Sequence, residues 1–141
     1  MADDITDLVA ETARRLFAEH APPAISRRYE PTHWLDAAWV DVAAAGFPMA
    51  LVAEPGAPLD TAVAAAILAE AGAAAAPLPL AETMLANHLL AASGFVTAAG
   101  PATVAPVRPT QTPKLVRAAD GGIRIRAACT GIPWARHCDV M

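Results

Sequence analysis

Three metal-capable side chains stand in a row near the end of the chain, His137-Cys138-Asp139. Consecutive side chains in a strand alternate between faces, so three in a row cannot converge on one ion without a fourth group. His20, His33 and His88 are spread along the chain with no partner at ligand spacing, and the expectation is no metal site. Cys129 and Cys138 share one tail segment without forming Cys-x-x-Cys, and two thiols in 141 residues fit a reducing compartment. Glu54, Glu70 and Glu82 are carboxylates of the type a general base needs. Glu70 falls late in an apolar helical stretch, where a solvated side chain is expected rather than a buried, paired one. No Gly-x-Ser-x-Gly, Gly-x-Gly-x-x-Gly or phosphate-loop pattern occurs.

The elements that must carry these residues read mainly as helices. Ile5, Leu8, Val9, Thr12, Leu16 and Phe17 recur at helical spacing, so a first helix is expected from about Asp4 to His20, ending before Pro22 and Pro23. Asp3 and Asp4 suit its N-terminus. A second helix starts near Thr32, a candidate N-cap, with Leu35, Ala38, Trp39 and Val42 as its apolar stripe and Gly46 as its C-terminal cap. Trp34 and Trp39 read as core anchors, with a ligand wall as the other use of such rings. Asp60 caps a third helix, in which Val63, Ile67, Leu68 and Ala71 face inward and Ala64, Ala65 and Ala66 permit close helix contact. A fourth begins at Pro79 or Leu80, repeats Leu80, Met84, Leu85, His88 and Leu89 at helical spacing, and closes at Gly94. Leu8, Trp39, Ile67 and Leu85 are therefore expected to share a single interior.

After Gly94 the helical period vanishes. Short β-branched runs appear at Thr103–Val107, Lys114–Ala118 and Ile123–Cys129, and Asp120-Gly121-Gly122 is a hairpin signal. Alternation from Ile123 to Ala127 puts isoleucines on one face and arginines on the other. This tail is basic, with Lys114, Arg117, Arg124, Arg126 and Arg136 against Asp120 and Asp139, whereas the chain as a whole carries a net charge of -4. Without aromatic interleaving it reads as a solvated strand face and not a nucleic-acid surface. The stretch from Thr83 to Val107 has no Asp, Glu, Lys or Arg, but Asn87, His88, Gly94, Gly100, Pro101 and Pro106 interrupt it. It reads as a buried helix and a following turn region, with no membrane span. The acidic start is unlike a signal peptide, and a cytoplasmic location is expected.

The order of features from Ala37 to Glu82 resembles the N-terminal helical domain of the acyl-CoA dehydrogenase family. A helix ends at Gly46-Phe47, a short apolar run leads through Val52 to Glu54 and Gly56, and a helix with Glu70 leads to a small-residue turn. Ala53, Pro55 and Pro58 depart from the family's usual loop. The later runs resemble the first strands of that family's central β-domain, and Gly131 to Met141 is similar to the segment entering an inner strand. The implied fold is mainly α: a helical domain over 1–95, then a few strands of an incomplete β-barrel domain over 96–141.

Members of that family oxidise an acyl-CoA thioester. A carboxylate takes the α-proton and the β-hydride passes to N5 of FAD, the cofactor supplying the redox chemistry. The resemblance places the base in a C-terminal helical bundle with no counterpart here, so no catalytic residue carries over. The family's Thr-Glu-Pro…Gly-Ser-Asp flavin segment is absent, and its Trp-Ile-Thr segment falls near Gly131, Ile132 and Pro133 without matching residues, beside Trp134. The resemblance does supply a pocket floor, Pro77 through Asn87, with Leu80, Thr83, Met84 and Asn87 as substrate-binding candidates; Leu80 and Met84 read first as plain core. It implies a fragment or subunit of an FAD-dependent, acyl-CoA-oxidising enzyme, inactive alone and partnered in a homo- or hetero-oligomer. The rival reading is a non-catalytic helical module that docks on a partner.

Overall fold

The computed structural model describes residues 2–21, 34–54, 61–106 and 112–141. The expected caps Thr32 and Asp60, His33, the Pro55–Pro58 loop and Val107 lie outside the described residues, as do the side chains of Trp34 and Leu35. Four helices and one two-stranded sheet are described: α1 (Ala2–His20), α2 (Trp34–Ala44), α3 (Thr61–Ala73), α4 (Leu80–Ala92), β1 (Lys114–Arg117) and β2 (Ile123–Arg126). A 3-10 turn, Phe47–Met49, follows α2. Among the described residues no helix is long and apolar enough to cross a membrane.

Helix α1 packs along α3, and α4 packs on the 3-10 turn. The buried stripe of α1 is Ala13 and Phe17, with Val9 and Leu16 partly buried beside them. These meet Ala38, Trp39 and Val42 of α2, Phe47 of the turn, Ala64 and Ile67 of α3, and Leu78, Leu80 and Met84 around the start of α4 in one core cluster. The Phe17 and Phe47 rings lie 6.2 Å apart in a tilted arrangement. Small residues such as Ala13, Ala38 and Ala64 let the backbones approach, and the larger side chains fill what remains.

The single-interior expectation holds for Trp39 and Ile67 only. Leu8 is 65% exposed and Leu85 41%, with Ile5 and Leu89 also outward. In α1 the core takes the Val9/Ala13/Leu16/Phe17 stripe, and a surface helix buries one apolar stripe while the rest faces out. In α4, apolar residues surround the helix, so spacing does not select a face.

Polar contacts fasten the helices. Arg14 reaches across from α1 to Glu70 of α3 with two hydrogen bonds, Nη2 to Oε1 at 2.8 Å and Nε to Oε2 at 3.2 Å. Glu70 is thus paired and only 19% exposed, contrary to the solvated side chain expected of it. His20 Nε2 lies 2.7 Å from Asp41 Oδ2, tying the end of α1 to α2.

Helices α3 and α4 end in the same hydrogen-bonded turn. After α4, the Gly94 amide donates to Ala91 and the Phe95 amide to Leu90. After α3, the Ala75 amide donates to Gly72 and the Ala76 amide to Ala71. The motif needs a left-handed residue: Gly94 has φ 75°, and Ala75 adopts φ 48° despite its Cβ. Gly46 has φ 76° after α2, the cap its type suggests.

Strands β1 and β2 form an antiparallel hairpin with Leu115 opposite Ile125 and Arg117 opposite Ile123. Its turn closes with the Ala118 amide donating to Gly122 and the Gly122 amide to Asp120 Oδ1. All eight strand residues are exposed. Residues 133–137 form a turn, with the His137 amide donating to Trp134, so His137-Cys138-Asp139 does not begin in the strand expected there. Only Val140 pairs as a strand would, in a parallel bridge with Ala102.

Candidate functional site

Leu80, Thr83, Met84 and Asn87 lie at i, i+3, i+4 and i+7, one face of α4. All four are buried. Leu80 and Met84 point into the core cluster, the structural use open to them in the sequence. Thr83 and Asn87 anchor the chain that follows the helix.

The Thr83 hydroxyl donates to the Pro79 carbonyl at 2.6 Å and accepts the Ala102 amide at 3.0 Å. Asn87 works one turn further on. Its Oδ1 accepts the Ala98 amide at 2.8 Å, and its Nδ2 donates to the Pro48 carbonyl at 3.2 Å and approaches Met49 Sδ at 3.5 Å. Both side chains are wholly removed from solvent, so these bonds replace the water that burial removes.

The anchored segment in turn receives the end of the chain. The Asp139 amide donates to Pro101, the Thr103 amide to Val140, and the Thr103 hydroxyl to Pro133 at 2.8 Å. Gly100 sits against the Asp139 carboxylate so closely that any Cβ there would collide with it. A seam thus runs from α4 through 97–103 to 139–140.

Beside Asn87 lies an open cavity of about 290 Å³, lined by Ala43, Pro48, Met49, Thr97, Ala98 and Ala99. Asn87 bonds to both of its walls. The lining holds one hydroxyl and no charge, so the cavity suits a small apolar group.

The remaining candidates do not converge. Glu54 is exposed, Glu70 is held by Arg14, and Glu82 lies in the first turn of α4. Among the described residues no three His, Cys, Asp or Glu side chains are placed to hold a metal. His88 Nδ1 is 3.0 Å from the Leu51 carbonyl; a carbonyl only accepts, so this nitrogen carries the proton. Cys138 has its thiol pKa raised from the ordinary 9.0, by burial first and then by the negative charges of Glu82 and Asp139. It is therefore held as a thiol near neutrality, the wrong form for a nucleophile. Trp39 is a core residue whose indole N–H is buried without a hydrogen-bond partner among the described residues, a cost of about 1–3 kcal/mol.

The cavity beside Asn87 does not fit FAD. It is small and uncharged, whereas a dinucleotide needs donors for its pyrophosphate. Around Gly131 to Trp134 the chain turns, and the Pro133 carbonyl is already taken by Thr103.

The resemblance offered Thr83 and Asn87, with Leu80 and Met84, as substrate-binding residues, and nothing in the residues themselves pointed to the backbone groups they hold. The amides they accept lie 11 and 19 residues later, beyond any helical spacing. Comparison with protein-family models, curated proteins and solved structures finds no match to this chain.

Proposed function

We propose that this chain is the helical lobe and opening β-segment of an acyl-CoA dehydrogenase-like flavoprotein, a non-catalytic piece or subunit that helps wall the acyl site. The observation that carries this reading is the seam at α4. One helix face packs into the four-helix core through Leu80 and Met84 and holds the 97–103 segment through Thr83 and Asn87. A helical lobe joined in that order to extended segments and a hairpin is the arrangement the resemblance implies, with 1–95 and 96–141 as the two parts. The outward positions of Leu8 and Leu85 count against this reading, which expects both in the shared interior.

In this role the chain positions and excludes water. Among the described residues no carboxylate is placed to take an α-proton, and no step through flavin is assigned to the chain. The test is a chimaera in which residues 1–141 replace the corresponding lobe of a characterised acyl-CoA dehydrogenase. Flavin retention and acyl-CoA-dependent dye reduction are expected of the chimaera, and neither of the 141-residue chain alone. A folded chimaera without flavin, or turnover by the chain alone, refutes the reading.

The second reading, a helical docking module without enzymatic parentage, is favoured by the apolar strip of Leu85, Leu89, Phe95 and Val96, all exposed. Light scattering with and without acyl-CoA dehydrogenase subunits separates the two. A stable complex without flavin supports the module.

A further inference from the structure

An isolated two-stranded hairpin is marginal in water, and among the described residues nothing covers either face or pairs with either edge of this one. Its register sorts the side chains into two faces. Lys114, Val116, Arg124 and Arg126 share one; Leu115, Arg117, Ile123 and Ile125 share the other. Leu115, Ile123 and Ile125 are each more than two-thirds exposed, so three aliphatic side chains and a guanidinium form one open patch. The hairpin carries four cations against Asp120 alone.

The chain also bears the complement of that patch. Along the outer face of α1, Asp4, Asp7, Leu8 and Glu11 follow at i, i+3, i+4 and i+7, with Ile5 and Leu8 exposed beside the acids. Arg15 is the opposing charge on this face; it lies 3.8 Å from Glu11, which also pairs with Arg14.

We propose that the Leu115/Arg117/Ile123/Ile125 face of the hairpin docks on the N-terminal half of α1 in a second copy of this chain. The aliphatic side chains cover Ile5 and Leu8, and Arg117 meets Asp7. The contact joins unlike surfaces, so every chain offers both halves of it. Four residues on one side and five on the other fall far short of the 20–30 per side of a stable interface, so the association is weak and concentration-dependent. The inference is independent of any flavoprotein parentage.

Sedimentation of the full chain at about 0.01 M and about 1 M salt tests it, since the Debye length falls from about 30 Å to about 3 Å between them. The mean mass is expected above the monomer at low salt and close to the monomer at high salt. Asp7→Lys and Arg117→Glu should each lower the association constant at least about threefold, the scale of an exposed charge pair, and the double variant should restore it. Asp7→Lys alters only an exposed helix position, so it reports even if Arg117→Glu loosens the hairpin. A monomer at every salt concentration overturns the proposal. So does association indifferent to salt, which points to the α4 strip, or a double variant no better than the singles. A short DNA duplex bound at low salt by an otherwise monomeric chain also overturns it, by giving the basic face a different partner.

Discussion

Replacing Thr83 by valine keeps the shape of a wholly buried side chain and removes its oxygen. Two bonds are lost, with unequal consequences. The Pro79 carbonyl keeps the Thr83 amide at 2.9 Å, so it is not stranded. The Ala102 amide, on a residue with no solvent exposure, loses its acceptor. A buried donor without a partner costs about 1–3 kcal/mol, so Thr83→Val should destabilise the chain by about 2 kcal/mol. For a chain of this size that corresponds to a melting point lower by roughly 7 °C. The release should be local first, because Thr83 holds 102 to α4 and 102 in turn pairs with Val140. If opening is local, exchange of the Ala102 amide should quicken about thirtyfold, the same 2 kcal/mol read as an equilibrium. Thr83→Ser is the control. It keeps the oxygen and loses one methyl, about 1 kcal/mol, and should leave Ala102 protected. Urea unfolding and amide exchange on the three proteins decide the matter. A valine variant within about 0.5 kcal/mol of the parent, with Ala102 exchange unchanged, refutes the argument that this hydroxyl joins the helix to the following segment.

The matched helix ends make a prediction of both signs. Gly94→Ala forces a Cβ into a left-handed residue with no neighbour within 4 Å, so the cost is conformational, about 1 kcal/mol; Ala75→Gly at φ 48° should raise the melting point. Cys138 makes the chain alkali-sensitive. Its thiol pKa is raised in the folded state, so the stability it contributes is complete below the ordinary 9.0 and is lost as pH rises through the folded value. Urea unfolding under reducing conditions should show stability falling from about pH 9.0 upward until the folded value is passed, and Cys138→Ser should flatten the fall.

Much of this architecture was legible along the chain. The apolar spacing of α1, the prolines after His20, the glycines at 46 and 94 and the Asp-Gly-Gly turn each act within a few residues. Their φ preferences and local hydrogen bonds are the same in any fold that admits them. Inward and outward faces were harder to read. Leu8 and Val9 are neighbours in sequence with similar side chains, yet the first is outside and the second partly buried against the core. In α3 and α4 alanine and leucine surround the helix, leaving little contrast between faces for a period to reveal.

The candidate site shows the same division. Thr83 and Asn87 entered as substrate-binding candidates through the resemblance alone, and their spacing placed them on one face of α4. What they hold, the amides of Ala98 and Ala102 and the carbonyl of Pro48, follows from how 97–103 returns along the helix. Glu70 is a still clearer case, since its partner Arg14 lies 56 residues earlier. Residue order alone settled the helix ends at Gly46 and Gly94 and the Asp-Gly-Gly turn, because short-range sterics govern those choices; it did not show the turn at 133–137 or the left-handed Ala75. Which side chains are buried, and which distant groups they meet, came from packing α1 on α3 and α4 on the 3-10 turn, because burial and long-range hydrogen bonds belong to pairs of elements.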